Sequence, residues 1–264
     1  MSQKLDVGKV FSRIFELYTS QASVYLPAAL ILYLPLALVT GAVLTGSGGL
    51  LVFLLLIALG FVTGFIYQGL VVRSVQDLQD GQRDLSIGEL FRSVIPVLGS
   101  LILVGIVGGI AEGIGFLLLI IPGVILVTIW AVVAPAIVIE NRSFDAFGRS
   151  YELTRGNFWQ VLAVIVVLFV IQFIIQQIFR AIGGGISDSL VTYAIFTLIG
   201  SVIIAPLSAL ASAVMYFELV GQQRQQAVPA APGAPGTVPP PPAPPAAPPP
   251  PPAAPPEQQQ PPQG

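Results

Sequence analysis

Six runs of apolar residues constrain this chain more than any other feature of its sequence. We place them at 24–44, 50–72, 94–114, 117–139, 158–179 and 190–219. A helix of about 20 residues crosses the roughly 30 Å of hydrocarbon in a bilayer, and each run reaches that length. Apart from Glu112 and Glu218, the charged residues lie between the runs, and they make up only 9% of the chain, far below the roughly 25% of soluble domains. The sequence therefore predicts an all-α polytopic membrane protein with six transmembrane helices.

The distribution of Lys and Arg predicts how the six spans are oriented. One side of the membrane has a single basic residue, Arg180. The other side has Lys4, Lys9, Arg13, Arg73, Arg83, Arg92, Arg142, Arg149, Arg155 and Arg224. Because cytoplasmic loops are enriched in Lys and Arg, both termini are expected in the cytoplasm, as in a multi-pass protein of the bacterial cell membrane. The outer connections, at about 45–49, 112–116 and 180–189, are then short.

Three short segments resemble one another, and each precedes a pair of spans. The matches are Leu, Gly and Phe between 5–11 and 85–91, and Phe11, Arg13, Glu16 and Leu17 against Phe147, Arg149, Glu152 and Leu153. In the first segment the apolar residues recur every three or four positions, as on one face of a helix. With basic residues nearby, such a helix is expected to lie in the membrane interface with its apolar face on the lipid. The sequence predicts a threefold repeat of an interfacial amphipathic helix plus a transmembrane hairpin.

Polar residues also predict where three helices begin or end. Asp6 is a candidate N-cap for the first segment, because a carboxylate there can accept a hydrogen bond from a free backbone N–H. Ser86 and Glu89 have the spacing of a capping box at the start of the second segment. Gly156 and Asn157 tolerate the left-handed conformation that closes many helices, so a helix end is predicted there.

The composition changes abruptly after the last span, which divides the chain into a membrane domain at 1–222 and a tail at 223–264. Eighteen of the 24 prolines lie between Val228 and Gly264, with Glu257 as the single charge. Such a segment cannot bury a core, so a disordered Pro-rich cytoplasmic tail is predicted. Its simplest interpretation is a solvated chain; the alternative is docking of its P-x-x-P spacings on a cytoplasmic protein partner.

Polar residues inside the apolar runs are the first candidates for function, because hydrocarbon makes them costly. Gln172, Gln176 and Gln177 form a stripe in the fifth run, which is explained by hydrogen bonds between helices or by a path for a substrate. Glu112 is expected at the outer turn between the third and fourth spans. Contact with water explains it there, and pairing with Arg180 on the same side is the alternative.

The connection at 140–157 is the candidate recognition surface. Its charged and polar residues are Glu140, Arg142, Arg149, Glu152, Arg155 and Asn157. Arginines in the interface can hold a lipid phosphate or an acidic partner. Glu152 is three residues from Arg149 and three from Arg155, so local ion pairs are the competing explanation.

Catalytic and metal-binding patterns are missing from the sequence. The chain contains neither histidine nor cysteine, which removes the most common general base, thiolate nucleophile and metal ligands. The glycines at 46–49 are not followed by the Lys-Ser/Thr pair of a phosphate loop. A net charge of −2 gives no indication of nucleic-acid binding. We therefore expect a protein that is not an enzyme and has no cofactor.

The block at 121–159 contains a set of residues found together in a known family. These residues are Pro122, Gly123, Trp130, Pro135, Glu140, Ala146, Ser150, Leu153, Thr154, Gly156, Asn157 and Phe158. The block resembles the signature of the membrane domain attached to some bacterial glycerophosphoryl diester phosphodiesterases and of related free-standing integral membrane proteins. In that family the phosphodiesterase chemistry belongs to a separate soluble barrel with histidines and metal-binding carboxylates. The resemblance implies a fold and a membrane setting here, and not the hydrolase activity.

Two functions from different classes follow as hypotheses. The first is a non-enzymatic scaffold or regulatory protein of the bacterial cell membrane, with interfacial helices and a Pro-rich tail exposed to the cytoplasm. Its partners would be membrane lipids and a cytoplasmic protein. The alternative is a transporter or lipid-handling protein with a path between the helical repeats. Substitution of Gln172 and Gln176 should abolish the second function, whereas removal of the tail should abolish the first.

Overall fold

The computed structural model describes residues 4–44, 49–81, 86–187 and 189–227. Its helices are α1 (Val7–Leu44), α2 (Leu50–Gln79), α3 (Ile87–Leu118), α4 (Ile120–Ile129), α5 (Val133–Glu140), α6 (Asp145–Thr154), α7 (Phe158–Ile186) and α8 (Leu190–Ala227), with a 3-10 turn at Arg155–Asn157. Six helical segments are long and apolar enough to cross a membrane, with α4 and α5 together forming one of them. The all-α class and the six spans are thus confirmed.

The second helix of each hairpin lies in the centre of the bundle. Helices α2, α5 and α8 contact one another in all three pairs. Consecutive residues are buried at 70–72, 132–138 and 209–216, so these helices are covered on every side there. A helix that is apolar and buried all round must lie inside a bundle rather than at its surface.

The remaining helices form an outer ring. We call α1–α2 unit 1, α3–α5 unit 2 and α6–α8 unit 3. The first helix of each unit packs against the second helix of the same unit. It also packs against the neighbouring unit: α1 contacts α8, α3 contacts α2, α6 contacts α5 and α4, and α7 contacts α4. The contact between α1 and α8 is the most extensive of all. The three units therefore close into a ring.

Burial of the three amphipathic segments follows the predicted repeat. The fully buried positions are Val10, Ile14 and Leu17 in unit 1, Leu90, Val94 and Val97 in unit 2, and Ala146, Ser150 and Leu153 in unit 3. The residue after the first buried position is a half-buried phenylalanine each time, which is Phe11, Phe91 or Phe147. Equivalent positions thus have equivalent environments, which supports the threefold repeat.

The buried faces of these segments correct one expectation about their posture. Val10 is 1% exposed and Ile14 is 0% exposed, and the cover is supplied by protein. The Tyr18 hydroxyl donates a hydrogen bond to the carbonyl oxygen of Ile203, well inside α8. The apolar faces therefore pack on the neighbouring unit instead of resting on lipid, because three units together offer each face a partner.

The three segments differ in how they join their spans. In unit 1 the junction is a kink at Gln21, whose backbone is not helical, and in unit 2 the segment continues into α3 without interruption. The Asp6 carboxylate accepts a hydrogen bond from the Lys9 backbone N–H, and Ser86 with Glu89 forms the predicted capping box. In unit 3 the segment is a separate helix, α6, followed by the 3-10 turn.

The ends of the bundle differ in chemistry. We call the end with Lys9, Glu140, Arg149 and Arg224 the basic end, and the opposite end the far end. At the far end the turn between α3 and α4 lies at Leu119, because α3 continues to Leu118 instead of stopping before the expected turn at 112–116. The helix α8 runs to Ala227, past the predicted boundary at 222. Residues 45–48, Arg83 and the tail from Val228 lie outside the described residues.

Candidate functional site

A break in the fourth span is the first element of the site. Helix α4 ends at Ile129 and α5 begins at Val133. Pro135 favours the break, since its ring has no N–H and would clash in a continuous helix with the carbonyl four residues earlier, which belongs to Ala131. The Ala131 carbonyl instead accepts a hydrogen bond of 2.7 Å from the Ser212 hydroxyl of α8.

Helix α6 satisfies the other backbone groups of the break. The Ser150 hydroxyl donates to the carbonyl oxygen of Ile129 at 2.8 Å and accepts from the backbone N–H of Val132 at 3.3 Å. The Thr154 hydroxyl reaches the same Ile129 oxygen at 3.2 Å. Irregular backbone inside a membrane must find such partners in the protein, because lipid offers none. Ser150 occupies the position that is Ile14 or Val94 in the other units, whose neighbouring spans are continuous.

An aromatic contact also fixes α6 against the break. The ring centroids of Trp130 and Phe147 are 4.6 Å apart. A Cβ atom on Gly108 of α3 would lie 3.3 Å from the Phe147 ring, so the glycine makes room for it. Phe147 is therefore enclosed between units 2 and 3.

A cavity of about 540 Å³ adjoins this break. Its walls come from all three units: α2 of unit 1, α3 to α5 of unit 2, and α7 and α8 of unit 3. Its lining on α2 extends from Ile57 to Gln68, a rise of about 16 Å for a helix. Toward the basic end its lining on α8 continues to Met215, which adjoins Tyr216 of the cluster around Glu140. The cavity therefore spans the middle of the bundle, with Ile57 and Glu112 toward the far end and Met215 toward the basic end.

Four aromatic rings line the cavity. They are Phe61, Phe65, Trp130 and Phe169. Gly109 and Gly105 of α3 lie directly behind the first two, since a Cβ atom on either glycine would come within about 3.1 Å of the Phe61 or Phe65 ring. Glycines of the third span thus have a packing role, because they leave room for the Phe61 and Phe65 rings.

Polar side chains enter the same cavity at several heights. Glu112 and Gln172 line it toward the far end, and Gln68, Ser208 and Ser212 line it at other levels. Among the described residues, Glu112 forms no ion pair or hydrogen bond; Arg180, its suggested partner, is exposed. Glu112 lies within α3 and not at the turn, so the position expected from the sequence is corrected.

The other members of the predicted glutamine path lie elsewhere. Gln176 lies between α7 and α8, where its side-chain oxygen is close to Gly200 and its buried amide nitrogen has no partner in the described part of the chain. Gln177 is exposed on the outside of the bundle. The structure thus brings Gln172 and Glu112 to one cavity and leaves Gln176 and Gln177 outside it.

Glu140 organises a second polar cluster, at the basic end. Its carboxylate accepts hydrogen bonds from the Arg149 side chain and the Tyr216 hydroxyl, both at 2.8 Å, and from the Arg142 side chain. Arg149 also donates to Gln223 of α8 at 2.9 Å. The hydrogen bond that Arg142 donates to Glu140 raises the pKa of the Arg142 guanidinium above its ordinary value. These charges are engaged within the protein and join the 140–157 connection to α8.

The last three residues of the predicted recognition surface have different environments. Asn157 accepts a hydrogen bond from the Leu5 backbone N–H at 2.8 Å and donates one to Gln222 at 3.1 Å. Glu152 and Arg155 are exposed. Both line a cavity of about 290 Å³ with Asn157 and Lys4. Of the predicted recognition surface, Glu152, Arg155 and Asn157 thus border one small cavity.

Comparison of the chain with models of protein families, with curated proteins and with solved structures finds no match. The resemblance to the phosphodiesterase-associated membrane domain therefore stays a prediction. Several of the residues on which it depends have structural roles here: Pro135 breaks the fourth span, and Ser150 and Thr154 satisfy the broken backbone.

Sequence reasoning missed three of these polar residues. Gln68 is a lone amide in the second apolar run, and the cost of a polar group in hydrocarbon could have identified it. Ser212 and Tyr216 gave no such signal, because hydroxyl-bearing side chains are common in membrane helices and often bond to their own backbone.

Proposed function

We propose that this integral membrane protein binds an amphiphilic small molecule or lipid in the cavity between its three units, without catalysis, as a lipid-handling protein or transporter. The observation that supports this most directly is the cavity itself, which is apolar in most of its lining and contains Glu112, Gln172 and Gln68. Ligand sites are typically concave, mostly apolar and supplied with a few polar groups. A volume of about 540 Å³ lies in the usual range of about 300–1,000 Å³.

Gly60 provides the means of testing the cavity. It lines the cavity on α2, and a Cβ atom added there would meet nothing within 4 Å, so a larger side chain has room. Gly99 of α3 also faces open space but does not line the cavity, which makes it the matched control. Wild type, Gly60→Phe and Gly99→Phe would be extracted in native lipid discs and compared by native mass spectrometry.

The expected result is one amphiphile retained in stoichiometric amount by wild type and by Gly99→Phe, and lost from Gly60→Phe. Equal retention by all three proteins, or no retention by wild type, would overturn the proposal. Size-exclusion profiles of the two variants would show whether each is folded.

We infer that the basic end faces the cytoplasm of a bacterial cell. The supporting observation is the excess of Lys and Arg at that end. Because the chain has no cysteine, single cysteines can be introduced without background labelling. A membrane-impermeant maleimide applied to whole cells should label Ser189→Cys at the far end and leave Gln225→Cys at the basic end unlabelled. The opposite pattern would reverse the orientation.

A scaffold role is the second candidate, and the exposed pair Glu152 and Arg155 beside the smaller cavity favours it. Its partner would be a cytoplasmic protein that binds this surface or the tail. Copurification of one protein with the full chain, and its loss from Arg155→Glu or from a chain ending at Ala227, would support this role. If both altered chains retain the same protein, the scaffold role is ruled out.

A further inference from the structure

The cavity contains an acidic group that the fold does not use. Of the described residues that line it, Glu112 is the only one with a formal charge. In the described part of the chain it has no ion pair and no hydrogen bond, whereas Glu140 at the basic end has three donors. A carboxylate inside a membrane protein is costly and normally finds a partner or serves a function. The Glu112 carboxylate is therefore available to a ligand that enters the cavity.

No cation of the described chain is placed to serve as that partner. The residues lining the cavity include neither Lys nor Arg. The other described basic residues lie toward the basic end, apart from Arg180, which is exposed on α7. An anionic ligand would meet a carboxylate with no compensating positive charge, so the cavity disfavours it.

The cavity that Glu112 lines also has aromatic residues in its walls. Phe61, Phe65, Trp130 and Phe169 present aromatic rings to the cavity. Aromatic faces attract organic cations, and quaternary ammonium groups in particular are bound by rings of this kind. A carboxylate together with several aromatic rings, in a cavity with space for a drug-sized molecule, is a site for a lipophilic amine or ammonium ion.

We infer that the ligand of the cavity is an organic cation, an amphiphile with an amine or quaternary ammonium group that pairs with the Glu112 carboxylate while its apolar part lies along the aromatic walls. This inference rests on the proposed function, since it specifies the ligand class of the same cavity. It excludes anionic amphiphiles such as fatty acids as the preferred ligands.

The two tryptophans of the chain provide a matched pair of reporters. Trp130 lines the cavity, and Trp159 is 71% exposed on the outside of the bundle, where lipid would surround it. The variant Trp159→Phe leaves only the cavity reporter, and Trp130→Phe leaves only the lipid reporter. A brominated amphiphile quenches the fluorescence of a nearby tryptophan. If the quenching saturates with amphiphile concentration in Trp159→Phe and is stronger there than in Trp130→Phe, it measures binding in the cavity.

Three probes with the same dodecyl chain and a terminal bromine would be compared in lipid discs: a trimethylammonium, an alcohol and a carboxylate. The ammonium probe should bind at the Trp130 reporter about tenfold more tightly than the alcohol, and the carboxylate most weakly. In a Trp159→Phe protein that also carries Glu112→Gln, the ammonium and the alcohol should bind within about twofold of each other. Glu152→Gln, which removes an exposed carboxylate outside the cavity, should leave the preference intact.

The outcomes separate the two proposals. If the alcohol or the carboxylate binds as tightly as the ammonium, or if the preference persists in Glu112→Gln, the cation inference is overturned and the proposed function survives. If no probe quenches the fluorescence of Trp130 more strongly than that of Trp159, the proposed function itself fails. The comparison of the three probes in the Trp159→Phe protein tests the cation inference even if the Glu112→Gln protein does not fold.

Discussion

The hydroxyl of Ser150 bonds to both sides of the break in the fourth span, donating to Ile129 and accepting from Val132. A helix that belongs to unit 3 thus completes the backbone hydrogen bonding of a span in unit 2. The stability of the fourth span consequently depends on where α6 is docked.

Ser150→Ala should lower the free energy of unfolding by about 1–3 kcal/mol, because it leaves buried backbone groups without their partner. Unfolding by titration with SDS in mixed micelles would measure the change. Ser201→Ala is the control, since the Ser201 hydroxyl donates to the Thr197 carbonyl of its own helix and to no other group in the described ranges. Equal effects of the two substitutions would contradict the role assigned to Ser150.

Glu140→Gln should destabilise the protein by about 1–3 kcal/mol, because Arg149, whose side chain is only 15% exposed, loses the closer of its two charged partners. Tyr216→Phe should have a smaller effect, and the double variant should show less than the sum of the two losses. The control is Glu152→Gln, which removes an exposed carboxylate 3.7 Å from the same arginine and should have no measurable effect on unfolding. If both carboxylate substitutions behave alike, Glu140 does not organise the cluster.

Gly115→Ala should loosen or displace the α3–α4 hairpin, at a cost of about 1–3 kcal/mol. An added Cβ atom would lie 3.1 Å from the Cα atom of Gly123, a backbone contact that cannot move aside easily. Gly113→Ala, two residues earlier in the same helix, meets open space and should be neutral or slightly stabilising. The measurement is again SDS unfolding, and a neutral Gly115→Ala would show that the hairpin is not closely packed there.

Asn157→Ala should release the N-terminal segment from α8, because Asn157 links the Leu5 backbone to Gln222. Hydrogen exchange at the Leu5 amide and its neighbours should accelerate by about tenfold or more, while exchange in the centre of α8 stays unchanged. Gln225→Ala, at an exposed position near the end of α8, serves as the control. Unchanged exchange in Asn157→Ala would mean that other contacts hold the segment.

Hydropathy was sufficient to predict the six spans, because the length of an apolar run and the thickness of a bilayer are both fixed quantities. The break at 130–132 was not predictable in the same way. The run at 117–139 has no charged residue to mark an interruption, and Pro135 in a membrane helix can produce a kink as readily as a break. Partners from Ser150 and Ser212 permit the break, and these are distant in sequence.

The surface on which the amphipathic segments rest is a second feature that could not be predicted from the sequence. The spacing of Val10, Ile14 and Leu17 establishes an apolar face, but the same pattern suits a lipid surface or a neighbouring helix. The end of α6 was expected near Gly156 and Asn157, and it does lie there, through a 3-10 turn and without a left-handed residue. The sequence identified Glu112 and Gln172 as costly polar groups. It could not show that they line one cavity, because that depends on how the three units pack together.

The contact between α1 and α8 has a consequence for how the protein is made. A ribosome delivers α1 to the membrane before the other spans and α8 after them, yet these two helices are neighbours in the ring. Until α8 is inserted, the buried face of α1 lacks the helix with which α1 makes its most extensive contact. Insertion of α8 is therefore the event that seals the nascent bundle, and an insertase or lipid must shelter that face for the duration of translation.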